Sequence, residues 1–150
     1  MKAQVFEYQG EGIECVYNNG HWVMCIKNWK PNNDIGEIKY LEVHHETDEQ
    51  FVLVHGKAVL LTASRQDDAF QIDLTLMEPG KVYNVPKETW FNTITEKDTK
   101  LIYVQDAGTT EKNSTYCDMT RVCHLQIQNG AFLGSIFSAS MRFIQCLCGF

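Results

Sequence analysis

The spacing of the β-rich runs constrains the fold of this chain more than any other feature. From residue 3 to residue 107, short stretches rich in Val, Ile, Tyr, Phe, Trp and Thr recur roughly every ten residues. Gly, Asn, Asp and Pro separate them, as in the turns at 18–20 and 78–80. No amphipathic helix of three turns interrupts the series before residue 110. The pattern predicts an all-β protein, either a sandwich or a barrel, and argues against a βαβ fold.

Alternation of polar and apolar residues indicates which way the predicted strands face. The predicted strands span 3–8, 13–17, 21–29, 37–44, 50–56, 57–64, 69–77, 81–85, 89–94 and 100–107. In the strand at 37–44, Glu42 and His44 share one face with Tyr40, while Leu41 and Val43 share the other. In 69–77, apolar residues alternate with mainly polar ones, which is typical of a strand with one buried face.

Length and charge limit the classes of partner. At 150 residues the chain fits one compact domain that buries most of the surface exposed by its unfolded form. A net charge of -6 argues against binding to nucleic acid or to an anionic membrane surface, because both need a basic face. The sequence has no apolar run of about 18 residues, and Glu7 comes too early for a signal peptide. We therefore expect a cytoplasmic protein with no nucleic-acid or membrane partner.

The six cysteines are unevenly placed along the chain. Two lie in the first quarter and four in the last: Cys15, Cys25, Cys117, Cys123, Cys146 and Cys148. In a cytoplasmic protein we expect these thiols to be reduced rather than paired in disulfides. A structural zinc site formed by the last four is the weaker alternative, because zinc knuckles usually have a wider gap within each pair and a longer spacer between pairs.

Residues 121–150 differ in kind from the rest of the chain. All 19 acidic residues precede position 120, and the remaining segment is apolar but interrupted by glycines and serines. We therefore divide the chain into a β domain at 1–120 and a C-terminal tail at 121–150, irregular or with a short helix. A strand at 121–128 and a helix or strand at 138–147 are our interpretations within this tail. The tail could cover an edge of the sandwich, form an oligomer contact, or be foreign to the original domain.

One segment in the middle of the chain carries a motif. His44 is followed by His45-Glu46-Thr47-Asp48, then by Glu49, and after six further residues by Gly56. In spacing and residue type this run resembles the first motif of the cupin superfamily. That motif has two histidines separated by one residue, then a glutamate and then a glycine. Here His44 occupies the position of the second histidine, and Glu42 occupies the position of the first.

A second motif supports the resemblance. Gly80, the run Lys-Val-Tyr-Asn-Val and Pro86 reproduce the glycine–proline frame of the second cupin motif. Glu88 stands where the family usually has a glycine, and Phe91 stands where it usually has its last histidine. The resemblance covers residues 35–107. It implies a single-domain antiparallel jelly-roll β-barrel and, because such barrels commonly dimerise through strand contacts, a homodimer.

The resemblance also bears on metal binding. Family members that hold iron, manganese, nickel or zinc typically use three histidines and one glutamate around an open position. Here only His44 and Glu49 match those ligands, and Phe91 cannot bind a metal. With Glu42 as a substitute oxygen ligand, Glu42, His44 and Glu49 would form a set for manganese, iron or zinc, and two carboxylates would favour manganese. In the alternative no metal binds, and the carboxylates pair with His44 or project into a water-filled mouth.

The interior that the resemblance implies is a candidate binding site. We expect His44, Glu49 and Tyr83 to be its acid–base groups, because imidazole exchanges protons near neutral pH and a nearby carboxylate raises its pKa. The candidate ligand-binding residues share the faces of the motif residues or adjoin position 91: Tyr40, Glu42, Phe51, Trp90, Phe91, Asn92 and Tyr103. The alternative is that most of the aromatic residues belong to the core.

Three functions are consistent with these observations. The first is a protein that binds a small polar molecule, sugar-like or carboxylate-bearing, without a complete metal site, and that acts as a binding protein or an enzyme. The second is a metal-dependent isomerase, dioxygenase or lyase that uses Glu42, His44 and Glu49. The third is a non-catalytic domain that dimerises through a sheet edge or the tail. The sequence has no phosphate-binding loop and no Gly-x-Ser-x-Gly nucleophile elbow, and it does not identify the substrate.

Overall fold

Two antiparallel β-sheets form the body of the protein. The computed structural model describes residues 1–67 and 69–120, residues 123 and 127, and the backbone of 143–147. This part of the chain contains a short 3₁₀ turn at Pro31–Asn33 and eleven strands: β1 (Ile13–Asn18), β2 (Trp22–Asn28), β3 (Tyr40–His44), β4 (Glu49–His55), β5 (Ala58–Gln66), β6 (Ala69–Leu76), β7 (Val82–Val85), β8 (Trp90–Thr95), β9 (Lys100–Asp106), β10 (Ser114–Asp118) and β11 (Phe143–Leu147). The prediction of an all-β protein is confirmed. Among the described residues, no helix has the length and apolar character needed to span a membrane.

The strand order makes the chain cross repeatedly between the sheets. The five-stranded sheet has the order β1-β2-β9-β4-β7, and the six-stranded sheet has the order β10-β3-β8-β5-β6-β11. Successive strands such as β3 and β4, or β8 and β9, therefore lie in different sheets. In the described ranges the two sheets are not hydrogen-bonded into one closed barrel, so the jelly roll is a sandwich of two stacked sheets.

Apolar residues form two cores, because the six-stranded sheet is buried on both faces. The inner core lies between the sheets and contains Val23, Cys25, Phe51, Leu53, Ala58, Leu60, Met77, Val85, Phe91, Leu101 and Tyr103. The outer core lies on the other face of the six-stranded sheet and contains Ile38, Leu41, Leu61, Ala63, Phe70, Ile72, Ile94, Cys123 and Ile127. Burial on both faces explains the almost continuous apolar run in β5, where Leu60 belongs to the inner core and Leu61 to the outer core.

Two segments differ from the predicted strands, while the other nine predicted strands are present as β1 to β9. Residues 3–8 do not form a strand, and side chains hold the backbone at the end of this segment. The carbonyl of Tyr8 accepts hydrogen bonds from Lys100 Nζ at 2.8 Å and from Asn28 Nδ2 at 3.3 Å. Conversely, β10 was not predicted because it is a polar edge strand whose residues are half-buried or exposed.

Part of the tail belongs to the six-stranded sheet. β11 pairs with β6 and forms one edge of that sheet, and Cys123 and Ile127 are buried in the outer core. The described part of the tail therefore adds an edge strand and two buried side chains to the six-stranded sheet. Apart from positions 123 and 127, the predicted strand at 121–128 lies outside the described residues, as do residues 138–142 of the element predicted at 138–147.

A disulfide joins Cys15 of β1 to Cys25 of β2. The two residues are direct cross-strand partners in the β1–β2 hairpin. The prediction that the thiols are reduced is wrong for this pair, because the hairpin register places two cysteines side by side that are ten residues apart in sequence. Cys25 is fully buried in the inner core, and Cys15 lies exposed on the edge strand.

Gly56, the last residue of the first motif, lies in the turn between β4 and β5. Its φ is +81°, and a Cβ at this position would lie 2.6 Å from the Cα of Thr99. Thr99 cannot move easily, because its hydroxyl donates to the carbonyl of Lys57 at 2.6 Å and accepts from the backbone N–H of Glu96 at 3.1 Å. The turn therefore needs glycine both for its left-handed conformation and for its close approach to a neighbouring turn.

Alanine substitutions at Gly56 and Gly20 separate these two requirements. Gly20 has a φ of +84° but nothing within 4 Å of its Cβ position, so it reports the conformational cost alone. We expect Gly20→Ala to lower the free energy of unfolding by about 1–2 kcal/mol. We expect Gly56→Ala to lower it by about 3–5 kcal/mol, because the turn must also move away from backbone atoms. Urea denaturation of both variants measures the difference, and equal losses would contradict the steric contribution.

Asn33, at the end of the 3₁₀ turn, fastens the segment before β3 to the six-stranded sheet. Its side chain is buried, and its Nδ2 donates to the carbonyl of Thr93 at 2.8 Å and to Oδ1 of Asn92 at 3.2 Å. Asn92 in turn donates to the carbonyl of Tyr40 at 2.8 Å. These bonds position the start of β3, the strand that carries Glu42 and His44.

The neighbouring asparagines at 32 and 33 provide a matched test of this attachment. We expect Asn33→Ala to lower the free energy of unfolding by about 1–3 kcal/mol, because buried acceptors lose their donor. Asn32 is exposed, so Asn32→Ala should change the free energy of unfolding by no more than about 0.5 kcal/mol. Chemical denaturation measures both values. If Asn33→Ala is as mild as the control, these hydrogen bonds do not hold the segment.

Candidate functional site

The motif residues come together between the two sheets. His44 ends β3 in the six-stranded sheet and Glu49 begins β4 in the five-stranded sheet, so the loop 45–48 carries the chain from one sheet to the other. His44 Nε2 lies 3.1 Å from Glu49 Oε2. Both residues are buried, at 7% and 5% exposure. They form a hydrogen-bonded acid–base pair in the interior of the protein.

The second imidazole nitrogen of His44 also has a partner. Nδ1 lies 2.8 Å from the hydroxyl of Ser114, which is directly opposite in the register of β3 and β10. When the neutral ring carries its proton on Nε2, this N–H donates to the Glu49 carboxylate and Nδ1 accepts from Ser114. The two bonds fix the orientation of the ring and make Nδ1 the atom that can accept a proton. Because Ser114 is half-buried and Glu49 is buried, Nδ1 faces the more accessible side.

Burial and pairing act in opposite directions on the pKa of His44. Burial lowers the pKa of the imidazole, but the hydrogen bond and charge of Glu49, with the charge of Glu42, raise it above its ordinary value of 6.5. Burial raises the pKa of Glu49 above its ordinary value of 4.5, while the hydrogen bond from His44 opposes this rise. The imidazole of His44 therefore keeps its proton to a higher pH than an isolated histidine does.

Aromatic rings close the interior beside this pair. The ring of Phe91 lies with its centroid 5.4 Å from that of His44 and 5.9 Å from that of Phe51. Phe51 in turn contacts Tyr103 at 5.8 Å. Glu42 is the direct cross-strand partner of Phe91. Position 91 therefore supplies an apolar wall where the cupin motif that the sequence resembles usually has a metal-binding histidine.

The second motif holds the end of β3 in place. The backbone N–H of Glu88 donates to the carbonyl of His44 at 2.8 Å. Glu88 has a φ of +66°, a conformation that favours glycine, the residue usual at this position of the cupin motif that the sequence resembles. Its carboxylate lies 3.0 Å from Nδ1 of His45, which is exposed. In the same region the backbone N–H of Lys87 donates to Asp48 at 2.9 Å, and this bond lowers the pKa of that carboxyl group.

Three polar side chains near the His44–Glu49 pair make no hydrogen bond or ion pair with any residue that the structure describes: Lys27 on β2, Glu42 on β3 and Tyr103 on β9. Lys27 is 7% exposed and Tyr103 is 8% exposed, whereas Glu42 is half-buried. Burial raises the pKa of the Tyr103 hydroxyl, as do the charges of Glu49 and Glu42, so this group keeps its proton. An ammonium, a carboxylate and a hydroxyl thus lie near the His44–Glu49 pair without a hydrogen-bond partner among the described residues.

Lys27 is the candidate site residue that the sequence analysis missed. Burial lowers the pKa of its ammonium to about 8, while the negative charge of Glu42 opposes the fall. The group therefore remains mainly protonated at pH 7. Val23, Cys25 and Lys27 alternate along β2, and all three are buried. A lysine that shares a strand face with two apolar residues is the sequence signal that could have identified Lys27.

Two predicted ligand-binding residues lie outside the interior. Trp90 packs against Phe70 in the outer core, with ring centroids 5.1 Å apart. Asn92 uses its amide to bind the backbone of Tyr40 and accepts a hydrogen bond from Asn33. Both alternate with Phe91 along β8 and so point to the opposite face. The prediction that Trp90 shares the face of the motif residues is wrong.

Two predicted tyrosines lie at the margin of the interior. The hydroxyl of Tyr83 accepts a hydrogen bond from the backbone N–H of Glu78 at 2.8 Å, so it is engaged in the turn before β7. Its position does not support the acid–base role predicted for it. Tyr40 is half-buried, and its ring meets that of Tyr116 edge-on at 5.7 Å. Since Tyr116 is the cross-strand partner of Glu42, this tyrosine pair flanks the Glu42 carboxylate.

The geometry does not fit the predicted metal ligands. Among the described residues, no three His, Cys, Asp or Glu side chains are placed to hold a metal ion. Glu42 does not join His44 and Glu49, and both imidazole nitrogens are already hydrogen-bonded to protein groups. Glu42, His44 and Glu49 therefore do not converge as a ligand set for manganese, iron or zinc.

A separate groove of about 480 Å³ opens on the outer face of the five-stranded sheet. It is lined by His21, Trp22, Met24, Thr47, Asp48, Gln50, Val104, Gln105 and Asp106. The polar pair of the interior is not part of this lining, so the groove and the candidate site are distinct.

Solved structures resemble this fold, although no family model matches the sequence and no curated protein matches it significantly. Pac13 from Streptomyces, a nucleoside dehydratase, is 8% identical, with a TM-score of 0.51 over 74% of this chain and 82% of that one. BH2720 from Bacillus halodurans is 18% identical, with a TM-score of 0.51 over 67% of this chain and 73% of that one. A cupin-2 domain protein from Shewanella frigidimarina is 13% identical, with a TM-score of 0.45 over 65% and 82%.

These likenesses concern the fold and carry no activity to this chain. Pac13 and BH2720 share the arrangement of strands over two thirds or more of both chains. In the sequence, the spacing of His44 and Glu49 resembles the first cupin motif, and the spacing of Gly80 and Pro86 resembles the second. The chain therefore shares the fold of Pac13 and BH2720, and this fold agrees with the resemblance of its two motifs to those of the cupin superfamily.

Proposed function

We propose that the interior of the sandwich binds a small polar molecule and that His44 transfers a proton to or from it without a metal ion. The observation that carries this proposal is the buried 3.1 Å hydrogen bond from His44 to Glu49. Ser114 holds the second nitrogen of the same ring at 2.8 Å. A carboxylate that holds one imidazole nitrogen and leaves the other as the base is a recurring arrangement in acid–base catalysis.

The proposed mechanism assigns a separate task to each group. A ligand that enters beside Ser114 replaces the serine hydroxyl as the partner of Nδ1. Nδ1 then takes a proton from the ligand, and the Glu49 carboxylate stabilises the imidazolium through the N–H of Nε2. The same nitrogen returns the proton to the product. Phe91 and Phe51 keep water from this side of the ring, which strengthens the interaction between His44 and Glu49.

Two observations support a small polar ligand: the polar groups of the interior that have no partner among the described residues, and the analogy with Pac13. Lys27, Glu42 and Tyr103 offer a cation, an acceptor and a donor to a polar molecule. Pac13, which shares the fold, has been solved with uridine. Self-association through a sheet edge and a cytoplasmic location stay predictions, and the proposal needs neither.

Proton exchange distinguishes an acid–base enzyme from a protein that only binds. Small hydroxy acids, keto acids, sugars and uridine are incubated with the protein in D₂O, and loss of C–H signals or conversion is followed by proton NMR. We expect turnover of at least one compound and a loss of about 10²- to 10⁴-fold in His44→Gln. His45→Gln is the matched control, because His45 is exposed and outside the interior. Activity that survives in His44→Gln, or no turnover of any compound, would contradict the proposed reaction.

The effect of Glu49 on the imidazole can be measured without a substrate. We expect NMR titration to give His44 a pKa above 6.5, and we expect Glu49→Gln to lower it, because the charge and the charged hydrogen-bond acceptor are removed. Since the folded state holds this proton more tightly than the unfolded state, the contribution of the imidazole to stability is complete below pH 6.5 and is lost as the pH rises through the folded pKa. Glu46→Gln is the control, since Glu46 is exposed in the loop. If the pKa of His44 is the same in Glu49→Gln as in the natural chain, Glu49 does not raise it, and the prediction is wrong.

A further inference from the structure

Lys27 is the buried charge of the interior that the proposed proton transfer does not use. Its residue is 7% exposed, and its ammonium makes no hydrogen bond or ion pair with the residues that the structure describes. Buried ammonium groups are normally paired, because removal of the charge from water is costly. Lys27 is nevertheless close enough to Glu42 and Glu49 to interact with their charges.

The neighbouring carboxylates do not take the place of such a partner. Glu49 is engaged with His44 at 3.1 Å, and Glu42 is half-buried and so retains contact with water. Of the charged groups in this region, the ammonium of Lys27 is therefore the one that a bound negative charge would stabilise most. One ammonium neutralises one negative charge, which suits a carboxylate better than a doubly charged phosphate.

We infer that Lys27 holds the carboxylate of the ligand, so that the molecule taken by this interior is a small hydroxylated carboxylic acid. The inference rests on the proposed site and adds a substrate class to it. The half-buried carboxylate of Glu42 accepts a hydrogen bond from a ligand hydroxyl, and the hydroxyl of Tyr103 donates to a second oxygen. Lys27 is thus a specificity-determining residue, and His44 acts at another part of the same ligand.

Matched pairs of ligands that differ only in the carboxylate test this inference. Binding of galacturonate and galactose, glucuronate and glucose, and gluconate and glucitol is measured by calorimetry at pH 7. We expect at least one acid to bind at least tenfold more tightly than its neutral partner. The preference should fall to less than twofold in Lys27→Met and persist in Lys27→Arg and in Lys39→Met, because Lys39 is an exposed lysine outside the interior. An acid preference that survives in Lys27→Met, or no acid that binds better than its partner, would overturn the inference.

Thermal unfolding provides a second measurement that needs no ligand. Methionine has a similar shape and no charge, so Lys27→Met should unfold at a higher temperature than the natural chain, as expected when a charge without a partner is removed. A lower unfolding temperature would show that the ammonium has a structural partner and would overturn the inference.

The variant His44→Gln separates this inference from the proposed reaction. This variant should lose proton exchange and keep the preference for acids. If exchange does not depend on His44 while Lys27 still selects acids, the proposed reaction fails and the binding preference stands.

Discussion

The hydrogen bond between His44 and Glu49 links the two sheets beside the loop where the chain crosses from one to the other. β3 and β4 belong to different sheets and are not ladder partners, so this side-chain bond sets their relative position at the loop 45–48. Phe91 packs against the imidazole, and Phe51 packs against Phe91. The arrangement of the interior therefore depends on a polar pair as well as on apolar packing.

The inward position of this pair was accessible from the sequence, whereas the remainder of the site was not. Alternation in β3 and the spacing of the motif are sufficient to bring His44 and Glu49 to facing sheets. Alternation in β8 could not assign Trp90 and Asn92, because the six-stranded sheet is buried on both faces and the pattern does not say which face is inner. Lys27 was missed because a lysine in a strand usually marks the face exposed to solvent. Only its position on the same strand face as apolar residues indicates that it is buried.

More of the fold than of the site could be predicted from the sequence, and the errors in the fold prediction have physical causes. Turn residues and apolar runs locate β1 to β9, because each of these strands has at least one buried residue or a turn signal beside it. β10 has neither a long apolar run nor a buried face, and its pairing with β3 depends on tertiary structure. The Cys15–Cys25 disulfide depends on the register of the hairpin, which includes an irregularity between Cys15 and Tyr17. Residue spacing alone does not specify such a register.

Both faces of the six-stranded sheet hold buried polar groups, and only some of these groups are hydrogen-bonded. On the outer side, Asn33 and Asn92 donate their amide protons to protein acceptors and fasten a loop to the sheet, although Oδ1 of Asn33 has no partner among the described residues. On the inner side, the hydroxyls of Thr93 and Thr95 and the ammonium of Lys27 have no partner among the described residues. A core with a purely structural role loses stability through such groups, since each gives up hydration without a new bond. For Lys27, which lies close enough to Glu42 and Glu49 to interact with their charges, the ligand carboxylate that we propose would supply the missing partner.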